Sequence, residues 1–324
     1  MLSTMRCRAT PIVAILSVLG ALAAAAPSQA LIVGLADQRA ASFADARLTA
    51  LPVRHARLTV PWDALNYRWQ RVEIDNWMRS TQAAGMKVVV TFGRSRTRPF
   101  SLPPAPEYQR RARAFMRRYR AVREYSPWNE PNIGVLPQNY DPRRIAMYYR
   151  ALRVLCPRCK VLGADVVDQS SLDRWMRSYL RAFAPGTAPR LWGLHNYVDV
   201  NSTSRWGTRT MLRLAPGQIW FTETGAIIHR GQTTTDRPDR RDLIRTGTQR
   251  AVAATKRVFV LARMSPRITR VYVYHWRADR GTSWDSALVA ENGTLRPSFD
   301  VFARQARLAV EAADPAVAPT AQRS

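Results

Sequence analysis

The sequence predicts an α/β fold, a (β/α)8 TIM barrel formed by a single domain, on three observations. Removing a predicted N-terminal signal of thirty residues from the 324-residue chain leaves 294, which suits one barrel of about 250 residues. Hydrophobic residues make up 46% of the chain, including ten tryptophans and eleven tyrosines, so a large core can form. Short apolar runs alternate with helical patterns along the chain, as stacked βα units require.

Eight segments rich in β-branched and aromatic residues are predicted as strands. They span residues 31–36, 55–62, 87–91, 124–129, 160–166, 190–197, 218–222 and 270–276. Amphipathic stretches between them predict helices at 71–84, 107–120, 143–155, 172–184, 243–262 and 299–309. In the third helix, for example, Ile145, Tyr148, Tyr149 and Leu152 follow the spacing of one buried face. Residues 43–51 and 205–214 are weaker helix candidates after the first and sixth strands.

The first thirty residues predict a secretory signal peptide, and hence a secreted, extracellular protein. Arg6 and Arg8 form a short basic region, residues 11–26 are apolar, and small residues precede a cleavage site after Ala30. The apolar run is shorter than the roughly 20 residues of a membrane-spanning helix, so no stable membrane insertion is expected. The barrel domain is therefore assigned to residues 31–312, and the Ala- and Pro-rich residues 313–324 to a disordered tail.

The formal net charge is +27, and arginine supplies most of the fifty basic residues. These arginines are spread along the chain, and the sequence contains no zinc finger, basic zipper or RNP segment, so nucleic-acid binding is not predicted. A protein with this charge should adhere to polyanions such as acidic polysaccharides, in a salt-dependent manner. A monomer is expected.

Two cysteines, Cys156 and Cys159, remain once the signal peptide is removed. In a cytosolic chain, the CPRC sequence could be a redox motif or half of a zinc site. Export to an oxidising compartment favours a structural disulfide instead, and no second CxxC is present to complete a zinc site.

Two glutamates fall at the ends of predicted strands, where a parallel barrel places its reacting groups. Glu130 ends the fourth strand in the sequence SPWNEPN, and Glu223 ends the seventh in WFTETG. These motifs, in this order, resemble the acid/base and nucleophile motifs of clan A glycoside hydrolases, the retaining (β/α)8 enzymes that include families 5 and 39. Further similarities lie in the second, sixth and eighth strands and beyond them: Arg57, His195, Asn196, Tyr197, Trp276 and the stretch 284–297.

The resemblance implies a role for each of these residues in cleaving a glycosidic bond. Glu130 would be the acid/base and Glu223 the nucleophile. Arg57 and Tyr197 would hold Glu223 ionised, and Glu130, facing a carboxylate, would have a raised pKa. Asn129 would hydrogen-bond the substrate 2-hydroxyl. The remaining substrate contacts are assigned to His195 as a hydrogen-bonding group, to Trp276 as a stacking platform, and to Trp62 and Trp206 as further aromatic contacts.

The sequence therefore predicts a secreted retaining glycoside hydrolase that acts on a polysaccharide or oligosaccharide without a cofactor. A catalytically inactive barrel that binds cell-envelope or acidic polysaccharide is the alternative. His195 and the two glutamates could in principle bind a metal, but the four histidines form no HExxH motif, and no metal site is predicted. Arginines in three predicted loops leave an anionic substrate open: Arg94, Arg96 and Arg98, then Arg230, Arg237, Arg240 and Arg241, then Arg277 and Arg280.

Overall fold

A parallel sheet of nine strands dominates residues 30–133, 141–231 and 246–313, which the computed structural model describes. Residues 1–29 of the predicted signal peptide, residues 314–324 of the predicted tail, and Arg237, Arg240 and Arg241 lie outside the described residues. The strands in chain order are β1 (Ile32–Ala36), β2 (His55–Pro61), β3 (Lys87–Gly93), β4 (Glu124–Ser126), β5 (Lys160–Val161), β6 (Asp165–Val167), β7 (Leu191–His195), β8 (Gln218–Thr224), β9 (His229–Arg230), β10 (Ile268–Tyr274) and β11 (Trp284–Asp285). Strands β9 and β11 form a separate antiparallel pair.

The sheet follows the order β5-β4-β3-β2-β1-β10-β8-β7-β6. Its two edge strands, β5 and β6, are separated by only three residues in the chain. Within that short segment, the amide of Leu162 donates to the carbonyl of Tyr125 in β4 at 2.8 Å, and the amide of Gly163 donates to that of Leu191 in β7 at 2.8 Å. The sheet therefore curls strongly. The segment between β5 and β6 forms hydrogen bonds both to β4, near one edge of the sheet, and to β7, near the other edge.

Each predicted strand coincides with an observed one, with ends that differ by no more than two residues in most of them, and the fourth and fifth differ more. The fourth ends at Ser126 because the next residue, Pro127, has no N–H to donate to the ladder. The fifth is interrupted around Gly163, where the ring of Trp192 packs so closely that a Cβ on the glycine would lie 2.7 Å from it. Both differences come from local geometry that apolar patterning does not report.

Helices follow most of the strands and include the six that the sequence predicted, with shifted ends. No helix among the described residues is both long and apolar enough to cross a membrane. The weaker candidate at 43–51 is a 3₁₀ helix, Ala40–Ala44, followed by one turn of α-helix, α1. The α-helices are α1 (Ala46–Thr49), α2 (Arg68–Ala83), α3 (Ala105–Arg118), α4 (Pro142–Leu155), α5 (Leu172–Leu180), α6 (Tyr197–Val200), α7 (Trp206–Leu214), α8 (Thr248–Ala262) and α9 (Pro297–Glu311).

The core lies between the helices and the sheet. In α4, the side chains of Ile145, Tyr148 and Leu152 are buried, so the predicted helical face packs inward. At the N-terminal end of the sheet, Arg270 and Glu124 form a two-pronged ion pair, with N···O distances of 2.6 and 2.9 Å. The charges of Arg270 and Glu124 are therefore paired with each other at this end of the sheet.

Cys156 and Cys159 form the predicted disulfide, with their Cα atoms 5.3 Å apart. The bridge lies between α4 and β5, and therefore at the N-terminal end of that strand. Residues at this end of a parallel barrel generally contribute to stability rather than to chemistry.

Replacing both cysteines with serine is expected to leave catalytic turnover unchanged. The free energy of unfolding should fall by no more than about 2 kcal/mol, because so short a loop restricts the unfolded chain only slightly. Steady-state kinetics measures turnover, and urea unfolding of the oxidised wild type and the double variant measures the change in the free energy of unfolding. A double variant that is folded but inactive would show that the bridge is not purely structural.

Candidate active site

Glu130 and Glu223 lie next to each other at the C-terminal end of the sheet. Glu130 follows β4 after a short turn, and Glu223 is the last residue but one of β8. A carboxylate oxygen of Glu130 lies within 4.8 Å of a carboxylate oxygen of Glu223. Both side chains are partly exposed, at 22% and 15%. The structure thus brings together the two glutamates singled out from the sequence and leaves both accessible to a ligand.

The turn that carries Glu130 has a left-handed backbone conformation, with φ of +51° at this residue. Such a conformation costs a non-glycine residue about 1–3 kcal/mol and is found most often at functional sites. The amide of Glu130 donates to the carbonyl of Asp165 at 2.8 Å. The side chain of Asn132 pairs with the backbone of Val167 through two hydrogen bonds of 2.8 Å. The NEPN sequence therefore forms a fixed turn that holds Glu130 beside β6.

A fully buried arginine, Arg57 in β2, connects most of the polar groups of the site. Its Nη1 donates to Glu223 Oε2 at 2.8 Å, and its Nη2 donates to Asn129 Oδ1 at 2.6 Å and to Asp165 Oδ2 at 2.9 Å. Burial opposes the charge of Arg57, but the charges of Asp165 and Glu223 outweigh burial and raise its pKa. Arg57 therefore stays charged and fixes the orientation of Glu223.

Asp165 completes this buried network, and it was not predicted from the sequence. Its Oδ2 also accepts a hydrogen bond from Thr91 Oγ1 at 2.7 Å. A Cβ on the neighbouring Gly193 would lie 2.0 Å from Asp165 Oδ1, so only glycine leaves room for this carboxylate. The available signal was an acidic residue within an apolar strand, because a buried charge needs a partner of opposite sign.

His195 bridges the two glutamates. Its Nδ1 lies 2.9 Å from Glu130 Oε1 and 3.9 Å from Glu223 Oε2, and its Nε2 lies 3.2 Å from Arg57 Nη2. Because a guanidinium only donates, Nε2 accepts in its contact with Arg57, and Nδ1 therefore carries the hydrogen that is donated to Glu130.

The charge state of Glu130 differs from the prediction. Burial favours the neutral carboxyl, but the hydrogen bond from His195 and the positive charges around the site, including Arg57 and Arg94, favour the ionised form more. The pKa of Glu130 is therefore lowered, and the predicted rise is wrong for the unliganded protein. The prediction considered only the facing carboxylate of Glu223, because the donors and cations come from distant parts of the chain.

Tyr197 contacts the second oxygen of Glu223. Its hydroxyl donates to Glu223 Oε1 at 3.1 Å. Burial, and then the charge of Glu223, raises the pKa of Tyr197 well above its ordinary value, so the hydroxyl remains a donor. Asp168 holds the backbone that follows, because its carboxylate accepts hydrogen bonds from the amides of Val198 and Asp199 at 3.0 and 2.7 Å. Glu223 thus receives a hydrogen bond on each oxygen, from Arg57 on one and from Tyr197 on the other.

Two of the tryptophans predicted to contact a sugar are buried. Trp276 is 1% exposed, and its indole N–H donates to Asp45 Oδ2 at 2.8 Å. Trp62 is 3% exposed, and the guanidinium of Arg98 lies over its ring at 5.2 Å. Trp206 is partly exposed at the start of α7. The stacking role predicted for Trp276 needs correction, because the ring has no open face and its polar atom is satisfied in the interior.

Two other aromatic residues lie close to Glu223 or to Tyr197, which bonds it. Tyr274, the last residue of β10, and Trp284 in β11 are both partly exposed. Burial, and then the charge of Glu223, raises the pKa of Tyr274 above its ordinary value. Trp284 packs edge-on against Tyr197, with 4.9 Å between the ring centroids. Neither residue was predicted to contact a sugar. For Tyr274 the reason is that the apolar run suggested a strand end two residues later, at Trp276, whereas the strand ends at Tyr274.

One donor atom each from Glu130, His195 and Glu223 lies within 4.8 Å of the others, so the three could hold a metal ion on geometry alone. Arg57 opposes this use of the site. Its guanidinium already bonds Glu223 and contacts His195 Nε2, and a second cation at that position would be repelled. The donor set suits a pair of reacting carboxylates better than a metal centre.

Known proteins resemble this chain in structure but not detectably in sequence. Neither a family model nor a curated protein matches the sequence. Among solved structures, a family 39 glycoside hydrolase from Bacteroides cellulosilyticus WH2 matches 87% of this chain, with a TM-score of 0.58 and 14% identity. A fungal β-1,4-galactanase matches 85% of it, with a TM-score of 0.61 and 15% identity. The chain has the clan A glycoside hydrolase fold.

A third glycoside hydrolase structure matches this chain to a similar extent. A β-glucosidase from Thermotoga maritima matches 82% of this chain and 84% of its own length, with a TM-score of 0.56 and 10% identity. The chain spans 64% of the length of the family 39 enzyme and 99% of the galactanase. At these identities the likeness concerns the fold alone. The reaction depends on the side chains of the site.

Proposed function

We propose that the protein is a secreted retaining glycoside hydrolase that cleaves O-glycosidic bonds in a polysaccharide or oligosaccharide by double displacement. One observation carries the proposal: the carboxylates of Glu130 and Glu223 approach within 4.8 Å at the C-terminal end of the sheet. Retaining enzymes hold their two carboxyl groups about 5–5.5 Å apart, whereas inverting enzymes leave about 6.5–9.5 Å for a water molecule. The short separation favours direct attack by a carboxylate. Secretion rests on the predicted signal peptide.

In the first step, the carboxylate of Glu223 attacks the anomeric carbon while Glu130 gives its proton to the departing glycosidic oxygen. The bond from the anomeric carbon to the leaving group breaks as the bond to Glu223 forms, which gives a covalent glycosyl-enzyme. In the second step, Glu130 takes a proton from water, and the water oxygen displaces Glu223 from the anomeric carbon. Two inversions at one carbon give a product of retained configuration.

The contacts of Glu223 suit a nucleophile. Hydrogen bonds from Arg57 to one oxygen and from the hydroxyl of Tyr197 to the other fix the orientation of its carboxylate. Asn129 uses its Oδ1 to accept from Arg57, which leaves its side-chain N–H groups to donate to the substrate 2-hydroxyl. A contact of this kind strengthens in the transition state.

The surroundings of Glu130 suit an acid that is loaded when substrate binds. In the free protein, His195 donates to Glu130 and keeps its pKa low. A bound sugar excludes water from Glu130 and competes for the hydrogen on His195 Nδ1. Both effects raise the pKa of Glu130, so that it can hold the proton that the leaving group needs. His195 would then donate to the substrate, as the resemblance implies.

Two further assignments belong to the same proposal. We infer that β5 and β6 are one interrupted fifth strand, so that the sheet closes into a (β/α)8 barrel with both glutamates at one mouth. The hydrogen bonds of Leu162 and Gly163 and a parallel bridge between Asn129 and Asp165 support this closure. As stacking candidates, the partly exposed rings of Tyr274 and Trp284 replace Trp276.

The test of the mechanism is the configuration of the product. The mature protein is incubated with a panel of polysaccharides and aryl glycosides, and the anomeric proton signals are followed by NMR before mutarotation sets in. We expect the released sugar to keep the configuration of the substrate. Inversion would contradict the double displacement, and binding without release of reducing ends would favour the inactive polysaccharide-binding barrel.

A further inference from the structure

The arginines in the loop after β3 differ in how their charges are balanced. Arg96 bonds Glu73 Oε2 at 2.6 Å. Arg98 lies 3.4 Å from Asp63 Oδ2, and the same carboxylate oxygen accepts a hydrogen bond from the buried Ser95 at 2.8 Å. The two acidic groups of this part of the surface are therefore already engaged, and the loop is anchored through Ser95.

Arginines that lie in β9 or follow β1 and β10 are also engaged. Arg277 donates to the carbonyl of Glu291 at 2.7 Å, and Arg280 donates to the Glu291 carboxylate at 2.5 Å. Arg39 forms an ion pair with Asp279, and Arg230 has partners as well. Each of these arginine side chains therefore already has a protein partner.

Arg94 is the exception among these arginines. It is exposed, and it makes no hydrogen bond or ion pair with any residue that the structure describes. It directly follows Gly93, where an added Cβ would lie 3.5 Å from the Cβ of Asn129. The amide of Asn129 also donates to the carbonyl of Phe92 at 2.8 Å. The end of β3 thus places Arg94 beside Asn129 and Glu130, and its charge contributes to the lowered pKa of Glu130.

We propose that Arg94 is a specificity-determining residue that binds an oxyanion group on the sugar at the leaving-group side of Glu130. The inference rests on the proposed glycoside hydrolase function and narrows its substrate class to glycans with a carboxylate, sulfate or phosphate on that unit. A planar guanidinium pairs with such groups through two parallel hydrogen bonds. Beside Glu223, in contrast, the charge of Arg57 is balanced by Asp165 and Glu223, so this described arginine does not favour an anion on the reacting sugar.

The experiment compares oligosaccharides that differ only in the unit at the leaving-group side: a neutral hexose, a hexuronate, a sulfated hexose and a phosphorylated hexose. The ratio of kcat/KM for each anionic substrate to that for the neutral one is measured at low and high salt. We expect the wild type to prefer at least one anionic substrate at low salt. Arg94→Gln should lower that ratio at least tenfold, mainly through KM, and Arg94→Lys should have an intermediate effect. The anionic substrate whose kcat/KM ratio falls most in Arg94→Gln identifies the oxyanion.

Arg96→Gln is the matched control, because it removes an exposed arginine of the same loop that is already paired with Glu73. Its preference ratio should equal that of the wild type. Equal ratios for the wild type and Arg94→Gln, or no anionic preference in the wild type, would overturn the role of Arg94 while leaving the hydrolase proposal standing. If none of the four substrates is cleaved, calorimetric titration with the same oligosaccharides decides. Tighter binding of an anionic one by the wild type than by Arg94→Gln supports the oxyanion site, and equal binding overturns it.

Discussion

Replacing Glu223 with alanine is expected to lower turnover of every glycoside substrate on the order of 10⁴-fold or more. Without its carboxylate no covalent intermediate forms, and neither leaving-group activation nor added base replaces it. The measurement is kcat on an oligosaccharide and on an aryl glycoside with a good leaving group. Glu291→Ala serves as the control, since this exposed glutamate bonds Arg280 and should leave kcat unchanged.

Glu130→Ala should behave differently, and the contrast separates the two roles. An activated aryl glycoside needs little protonation of its leaving group, so the first step should be partly spared. The second step should become slow, because no base activates water. Azide should restore turnover by attacking the glycosyl-enzyme and should give a glycosyl azide of retained configuration. If neither replacement lowers turnover of a glycoside that the wild type hydrolyses, the proposed catalytic pair is wrong.

Replacing Arg57 with methionine should both destabilise the protein and abolish most of its activity. Arg57 and Asp165 have fully buried side chains and form an ion pair of 2.9 Å, so the substitution leaves a buried carboxylate without its partner. Removing one partner of such a pair generally costs about 3–5 kcal/mol. Glu223 also loses the donor that orients its Oε2, so the nucleophile is no longer held in place. Urea unfolding measures the first effect, and kcat measures the second.

Two further variants make the test of Arg57 selective. Arg304→Met changes an exposed arginine on α9 and should alter the free energy of unfolding by no more than about 0.5 kcal/mol. The double variant Arg57→Met/Asp165→Asn should recover part of the stability, because no unpaired charge stays buried, but it should not recover turnover. If Arg57→Met is as stable as Arg304→Met, the buried pair does not support the fold.

Apolar periodicity located the strands because burial of one face of an element leaves a local pattern. The same periodicity placed the fourth strand end three residues too late and the eighth two residues too late. At the fourth, a proline interrupts the hydrogen-bond ladder before the apolar run ends. At the eighth, Trp276 is apolar and buried although it lies beyond the strand, so its hydrophobicity marks the core and not the cleft.

The sequence by itself determined the order of βα units, the NEPN and TETG motifs that carry Glu130 and Glu223, and the cysteine pair, because each of these is a local pattern of a few adjacent residues. The candidate partners Arg57 and Tyr197 came from the resemblance to clan A glycoside hydrolases. Only the tertiary structure showed that Asp165 balances Arg57, that His195 lowers the pKa of Glu130, that Tyr274 and not Trp276 borders the site, and that Arg94 has no hydrogen-bond or ion-pair partner in the described part of the chain. Burial and electrostatic balance depend on groups that the fold brings together from distant positions, and no local pattern records those distances.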